Sequence, residues 1–166
     1  MSSFIYQQGQ HLLGGRGGLD IQTANANDEI YLGLMSSSYP ADDSHRVADQ
    51  YYSDILDGSY ELNTAGGYVG GDSSNAGGQL FDNGSIKVVR EDITFSDHIE
   101  FTLPVIWGLS TLTAAYAFTY RWTGDASTSD LLFLWDFGGT RVTNNRDFVV
   151  SWLDTIAHTF GPCPAS

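Results

Sequence analysis

Cysteine is nearly missing from these 166 residues: Cys163 stands alone in a Gly-Pro-Cys-Pro tail. One thiol cannot close an intrachain disulfide, and a Cys-x-x-Cys or cysteine–histidine metal cluster is excluded by count. Cys163 reads as an incidental thiol at a chain end. Lysine is equally scarce: Lys87 is the only one, and seven bases face twenty acids, for a formal net charge of −13. A surface of that sign repels phosphate backbones, which argues against nucleic acid as a partner. It leaves open plain solubility, a basic protein partner or adaptation to a salty medium, and the lack of lysine beside many aspartates favours the last. No apolar run approaches the ~20 residues that span a bilayer. The N-terminus lacks the basic, apolar, small-residue succession of a signal peptide, so a soluble chain of cytoplasmic origin, with no membrane partner, is expected.

Catalytic motifs are also thin. The four histidines, His11, His45, His98 and His158, lie in separate segments with no i, i+4 pair, so each reads as a surface or packing residue. No Gly-x-Ser-x-Gly elbow nominates a serine nucleophile. The glutamates Glu29, Glu61, Glu91 and Glu100 leave a paired-carboxylate glycosidase open, but only Glu100 falls in a long strand, and no partner is evident for it. The glycine-rich stretch 14–18 lacks the spacing and flanking elements of a phosphate loop and reads as a flexible link carrying Arg16. Asp42 and Asp43 do not open a calcium loop; they read as helix-capping acids. No cofactor is expected.

What is present is β-patterning. Residues 112–137 organise the chain: Leu112, Ala114, Tyr116, Phe118, Tyr120 and Trp122 share one parity, the mark of a long strand with one face on a core. A polar connector, 123–130, leads to the apolar run 131–137 and then Gly138-Gly139, so a hairpin with a long loop is expected. Upstream, 28–35 reads as a strand with Ile30, Leu32 and Leu34 on one face and Gly33 on the other marking close backbone approach or a bulge. Val47, Tyr51 and Ile55 predict one helix over 45–56, stopped at Gly58. Residues 3–13 predict a short helix weakened by Gly9, and 60–62 a short strand. The glycine-rich 63–78 predicts a long flexible loop, relieved by Tyr68 and Val69. Asn83-Gly84 predicts a hairpin between 79–82 and 85–90. Further strands are expected from Ile93 and Phe95, over 99–106, at Phe148, Val150 and Trp152, and at a terminal edge, 156–160. The fold class is therefore all-β, an antiparallel sandwich or jelly roll with one or two short helices. The expected organisation is an N-terminal arm over 1–27, a β-sandwich domain over 28–160 and a tail over 161–166.

The order of these segments resembles a family of tailed-bacteriophage virion proteins. The strand Asp-Glu-Ile-Tyr-Leu-Gly-Leu-Met with Ser-Ser-Ser-Tyr after it is similar to that family's opening strand, and an acidic helical stretch follows in both. Tyr60-Glu61-Leu62, Gly66-Gly67-Tyr68 and Gly77-Gly78 resemble its next passage, and Asp92-Ile93-Thr94-Phe95 the one after. The fullest likeness runs over 114–138, with Thr123-Gly124, Thr128-Ser129, Leu131 and Asp136-Phe137-Gly138; Asn145 to Trp152 resembles the closing motif. Departures are Tyr31 where a base is usual, Arg146 where glycine is usual, and an expanded 97–112.

The resemblance implies a non-enzymatic β-sandwich of the particle: head shell, neck or tail. The expectation is an outer-surface decoration (cement) protein, bound to the major capsid protein and to itself as a small symmetric oligomer such as a trimer, found in the virion after synthesis in the host cytoplasm. Contact with the shell is expected from the N-terminal segment, through Phe4, Ile5, Tyr6, Leu12, Leu13 and Arg16, and from the long loop, through Tyr68 and Val69. The rival from another class is a carbohydrate-binding module or jelly-roll glycosidase with aromatics lining a groove.

Overall fold

The computed structural model describes residues 4–11, 29–81, 86–91, 96–101, 103–152 and 156–160. Among the described residues, ten strands, three short α-helices and one 3-10 helix follow in the order β1 (Phe4–Ile5), α1 (Gln7–His11), β2 (Glu29–Met35), α2 (Asp43–Ala48), α3 (Tyr52–Asp57), β3 (Gln79–Leu80), β4 (Ile86–Glu91), β5 (Ser96–Phe101), β6 (Val105–Ser110), β7 (Thr113–Trp122), the 3-10 helix (Ala126–Thr128), β8 (Leu131–Val142), β9 (Arg146–Val150) and β10 (Ile156–Phe160). The fold is all-β, its sheets antiparallel. A five-stranded sheet has the order β1-β8-β7-β2-β3; the other layer comes in two pieces, β10-β5-β4 and β6-β9. The terminal strand β10 is an edge, as its pattern predicts.

The central hairpin forms, but its apolar parity does not stay on one face. Leu112 and Ala114 join the cluster between the sheets, whereas Phe118 and Tyr120, with Tyr116 and Trp122 against them, join the cluster under the helices. The reason is a register break. Ala114 pairs with Arg141 but Tyr116 with Asp136, so β8 spends extra residues around Gly138 and Gly139, both at positive φ, while β7 passes one. β8 thus runs through the glycines that look like its end. Both faces of the five-stranded sheet are covered. Between the sheets, Phe101 lies edge-on to Phe133 and Trp135, 5.6 and 5.1 Å between centroids. On the other face Tyr52 of α3 stacks on Tyr120 at 4.1 Å.

The predicted helix over 45–56 is two helices. Residues 50–52 are drawn into strand-like pairing with the start of β8: Leu131 N donates to Gln50 O at 2.9 Å and Tyr52 N to Ser129 O at 2.7 Å. These bonds replace helical ones, so Val47 is left exposed while Ile55 is buried. Asp42 caps α2 through the His45 amide, and Gly58 closes α3. The expected single strand over 99–106 is likewise two strands in different sheets, β5 and β6. Pro104, which has no amide to give a ladder, stands between them.

The Asn83-Gly84 turn lies outside the described residues, but its flanks are not hairpin partners. β3 pairs with β2 and β4 with β5. Phe81 turns inward after donating to Ile30 O at 2.8 Å, so the chain changes layer here. Residues 92–95, with the strand expected at Ile93 and Phe95, are also outside the described set, apart from β5 beginning at Ser96. Phe148 and Val150 are the inward residues of β9, which ends at Val150; Trp152 packs on the same core from beyond it.

The N-terminal segment is no separate arm where it is described. Phe4 and Ile5 pair with Leu134 and Phe133 as an edge strand, and α1 begins only at Gln7. Gly9 permits the approach of α1, since a Cβ there would lie 2.5 Å from Leu132 O. At Gly33 the expected bulge is not found, since β2 keeps its register there; what the missing side chain admits is not a backbone but the Phe118 ring, 2.4 Å from where a Cβ would stand.

Candidate functional site

The loop expected to be flexible is pinned from below by one buried carboxylate. Glu61 leaves β2's flank through a single bridge to Met35 and is only 9% exposed. Its Oε2 accepts the Tyr52 hydroxyl and, at 3.2 Å, the Gly71 amide; its Oε1 accepts the Tyr68 hydroxyl at 2.6 Å. Tyr68 in turn accepts the Leu34 amide at 3.0 Å, and Tyr120 donates to Gly77 O at 2.7 Å. Gly71 and Gly77 lie so close that a Cβ would fall 2.1 Å from the Tyr52 hydroxyl and 2.2 Å from Glu61 Oε1. The glycines of 63–78 are thus spent on close packing around a carboxylate as well as on turns. Burial pushes the Glu61 carboxyl above its usual range against the pull of its three donors, and burial also raises the Tyr52 and Tyr68 phenols.

Above Glu61 opens a cleft of about 470 Å³ between the end of α3, residues 61–64, the turn at 70–73 and the turn at 125–127. Asp57, Asp72 and Asp125 line it, and none of its lining residues is aromatic. Asp72 accepts the Ser74 and Asn75 amides, at 2.8 and 2.9 Å, and both its oxygens take the Asn75 amide group. Asp125 accepts the Ser127 amide and hydroxyl at 2.8 and 2.6 Å. These bonds hold both aspartates below their usual pKa. A glycosidase needs one carboxyl free to give a proton and a second free to attack or activate water. In this cleft Glu61, Asp72 and Asp125 are committed to shaping loops, while Asp57 is exposed at the end of α3 and its carboxylate has no hydrogen bond among the described residues. Of the other glutamates, Glu29 is exposed, and the side chains of Glu91 and Glu100 fall outside the described set.

A second polar network ties the N-terminal segment down. The Tyr6 hydroxyl donates to Tyr39 at 3.1 Å, and Tyr39 to Asp49 at 2.9 Å. Gln8 donates to Asp130 at 2.9 Å, and Asp130 is paired with Arg121, whose Nε lies 3.1 Å away. Burial raises Asp49 despite its bond from Tyr39.

No protein-family model matches the chain, and neither does any curated protein or solved structure. Its residues must speak for it.

Of the expected contact residues, Ile5, Tyr6 and Tyr68 are inside the domain, at 8%, 0% and 1% exposure, so they pack rather than dock. The side chain of Phe4, and Leu12, Leu13 and Arg16 entirely, lie outside the described residues. Val69 alone among the described ones faces solvent. The structure instead exposes apolar side chains on β6 and β9. Ile106 and Val149 are directly opposed across the pair, each about half exposed, and Leu109 stands out at 74%. Leu109 sits at φ 47° on a register break, its amide held by Asp147 Oδ1 at 3.0 Å. The signal in the sequence was a valine on each face of one short strand, Val149 and Val150. Among the described residues no group of three or more His, Cys, Asp or Glu is arranged to hold a metal ion, and no helix is long and apolar enough to cross a membrane.

Proposed function

We propose that this chain is a non-enzymatic structural protein of a virus particle, a decoration protein on the outer surface of the shell that binds the major capsid protein. The ordered resemblance over 28–160 supports the virion assignment. The observation that carries a docking role is the division of labour among side chains. The carboxylates Glu61, Asp72 and Asp125 hold loops, while apolar Ile106, Leu109 and Val149 are turned outward on a β ribbon. Leucine in the left-handed region costs about 1 kcal/mol, and exposed it returns no burial within the monomer; contact with a partner would. The acidic surface suits the outside of a shell, away from packaged DNA. Assembly as a small symmetric oligomer, such as a trimer, accords with a shell lattice.

The test is copy number in purified particles by quantitative mass spectrometry. Hundreds of copies support the shell; about six or twelve move the protein to the neck or tail. Particles without the chain refute the virion reading.

A further inference from the structure

We propose that the outer edge of β9 is a strand-addition site for an extended, acid-bearing segment of a partner protein, joined main chain to main chain at Val149 and carboxylate to guanidinium at Arg141. The hydrogen-bond directions lead there. Gln79 Nε2 donates to Ile106 O at 3.0 Å, so the Ile106 carbonyl faces away from β9. In an antiparallel ladder two directly opposed residues both face each other or both face outward. Val149 opposes Ile106, so its N–H and C=O point away from β6, on a side where no other described strand flanks β9. Beside this edge lies a groove of about 270 Å³ between residues 147–151 and the far part of β8, bounded by Phe137, Arg141, Thr143, Phe148 and Ser151. An added strand lies ~4.8 Å from its neighbour. What satisfies unpaired N–H and C=O groups along a strand edge is another peptide backbone.

Charge says which backbone. Among the described residues, Arg46 and Arg121 are paired with Asp43 and Asp130. Arg141 and Arg146, at the β8–β9 end, have no carboxylate partner there; Arg141 gives one N–H to Phe137 O at 2.7 Å. Asp147 also lines the groove, but its Oδ1 is turned to the Leu109 amide. On a chain of net charge −13 these two guanidiniums, without a carboxylate partner of their own, are what this end offers to acidic side chains on an incoming strand, while Asp136 and Asp147 beside them each give an oxygen to a backbone amide. A second copy of this acidic chain is the poorer occupant, because the remainder of the two surfaces repel.

This deepens the docking reading and rests on it only for the partner's place in a particle. The probe is a synthetic heptapeptide, Thr-Val-Asp-Val-Asp-Val-Thr, titrated into the full ¹⁵N-labelled chain. Amide shifts confined to 137–151, binding on the order of 1 mM, and weaker binding of a lysine-for-aspartate peptide are expected. Val149→Pro removes an outward N–H without costing a ladder bond, and should weaken binding at least about tenfold. Arg141→Glu leaves the edge intact and should reverse the charge preference. Equal binding by Val149→Pro, no shifts with the acidic peptide, shifts elsewhere, or concentration-dependent self-pairing through β9 would each overturn the inference. Equal occupancy of particles by wild type and Val149→Pro also overturns it while leaving the virion reading intact. Peptide binding by a chain absent from particles does the reverse.

Discussion

Replacing Glu61 with alanine should loosen the 63–78 loop and destabilise the whole domain by about 3–5 kcal/mol. The figure comes from what is stranded: the Tyr52 and Tyr68 hydroxyls and the Gly71 amide lose their acceptor at once. Each buried donor left unpaired costs about 1–3 kcal/mol, and water entering from the adjoining cleft can satisfy part of that. Against a total of roughly 5–15 kcal/mol the loss is large. Urea unfolding followed by tryptophan fluorescence measures it, and hydrogen exchange at the Gly71 and Gly78 amides locates it. A loss under about 1 kcal/mol with protection unchanged at both amides would refute the pinning role.

The same site has a pH signature. Burial raises the Glu61 carboxyl above its ordinary 4.5, so the folded protein holds a proton that the unfolded chain releases. Stability from this group is therefore full below 4.5 and declines as the pH rises through the raised value. Glutamine does not titrate, so the stability gap between wild type and Glu61→Gln should narrow as the pH climbs from about 4 to 8. The opposite slope from Asp42, Asp72 and Asp125, whose pKa values are lowered by their hydrogen bonds, is common to both proteins and cancels. A gap that widens over that window would contradict the assignment.

Tyr6→Ala, which empties a fully buried site and frees Tyr39 from its bond, should cost about 3–5 kcal/mol, seen as a lower melting temperature; an unchanged melt would mean that residues 4–11 do not belong to the core. Leu109→Gly should stabilise by about 0.5–1 kcal/mol by relieving a positive φ on an exposed residue, measured by urea midpoint, with a loss of stability counting against strain there. Asp130→Ala removes the carboxylate that pairs with Arg121 and accepts from Gln8, and should cost about 1–3 kcal/mol, while the double variant with Arg121→Met should show coupling between the two side chains in a double-mutant cycle.

How far the residues announced their own fold depends on how local each choice was. Strand β2, the β7–β8 hairpin and the caps at Asp42 and Gly58 follow from patterns a few residues long, and they stand in the structure. The misread elements were settled by partners distant in the chain. The helix over 45–56 breaks because residues 129–131 compete for its backbone, and the residues before Asn83-Gly84 pair with β2 rather than with those after it. Glu61 was legible only as one glutamate among four; its weight comes from Tyr52 and Tyr68, which flank it at nine and seven residues' distance and meet it only in space.

Alternation, turn residues and charge balance act through neighbours on the same strand or helix, so composition and order alone committed this chain to an acidic antiparallel β protein. Which sheet each strand joins, where β8 yields its register and which face of the aromatic ribbon meets helices had to wait for packing. A bulge of a few residues reverses a whole face, and a hydrogen bond between segments eighty residues apart outweighs a local helical preference. The unpaired edge of β9 belongs to that second class: nothing within residues 146–150 tells which backbone groups point outward until Gln79 reaches Ile106 from another sheet.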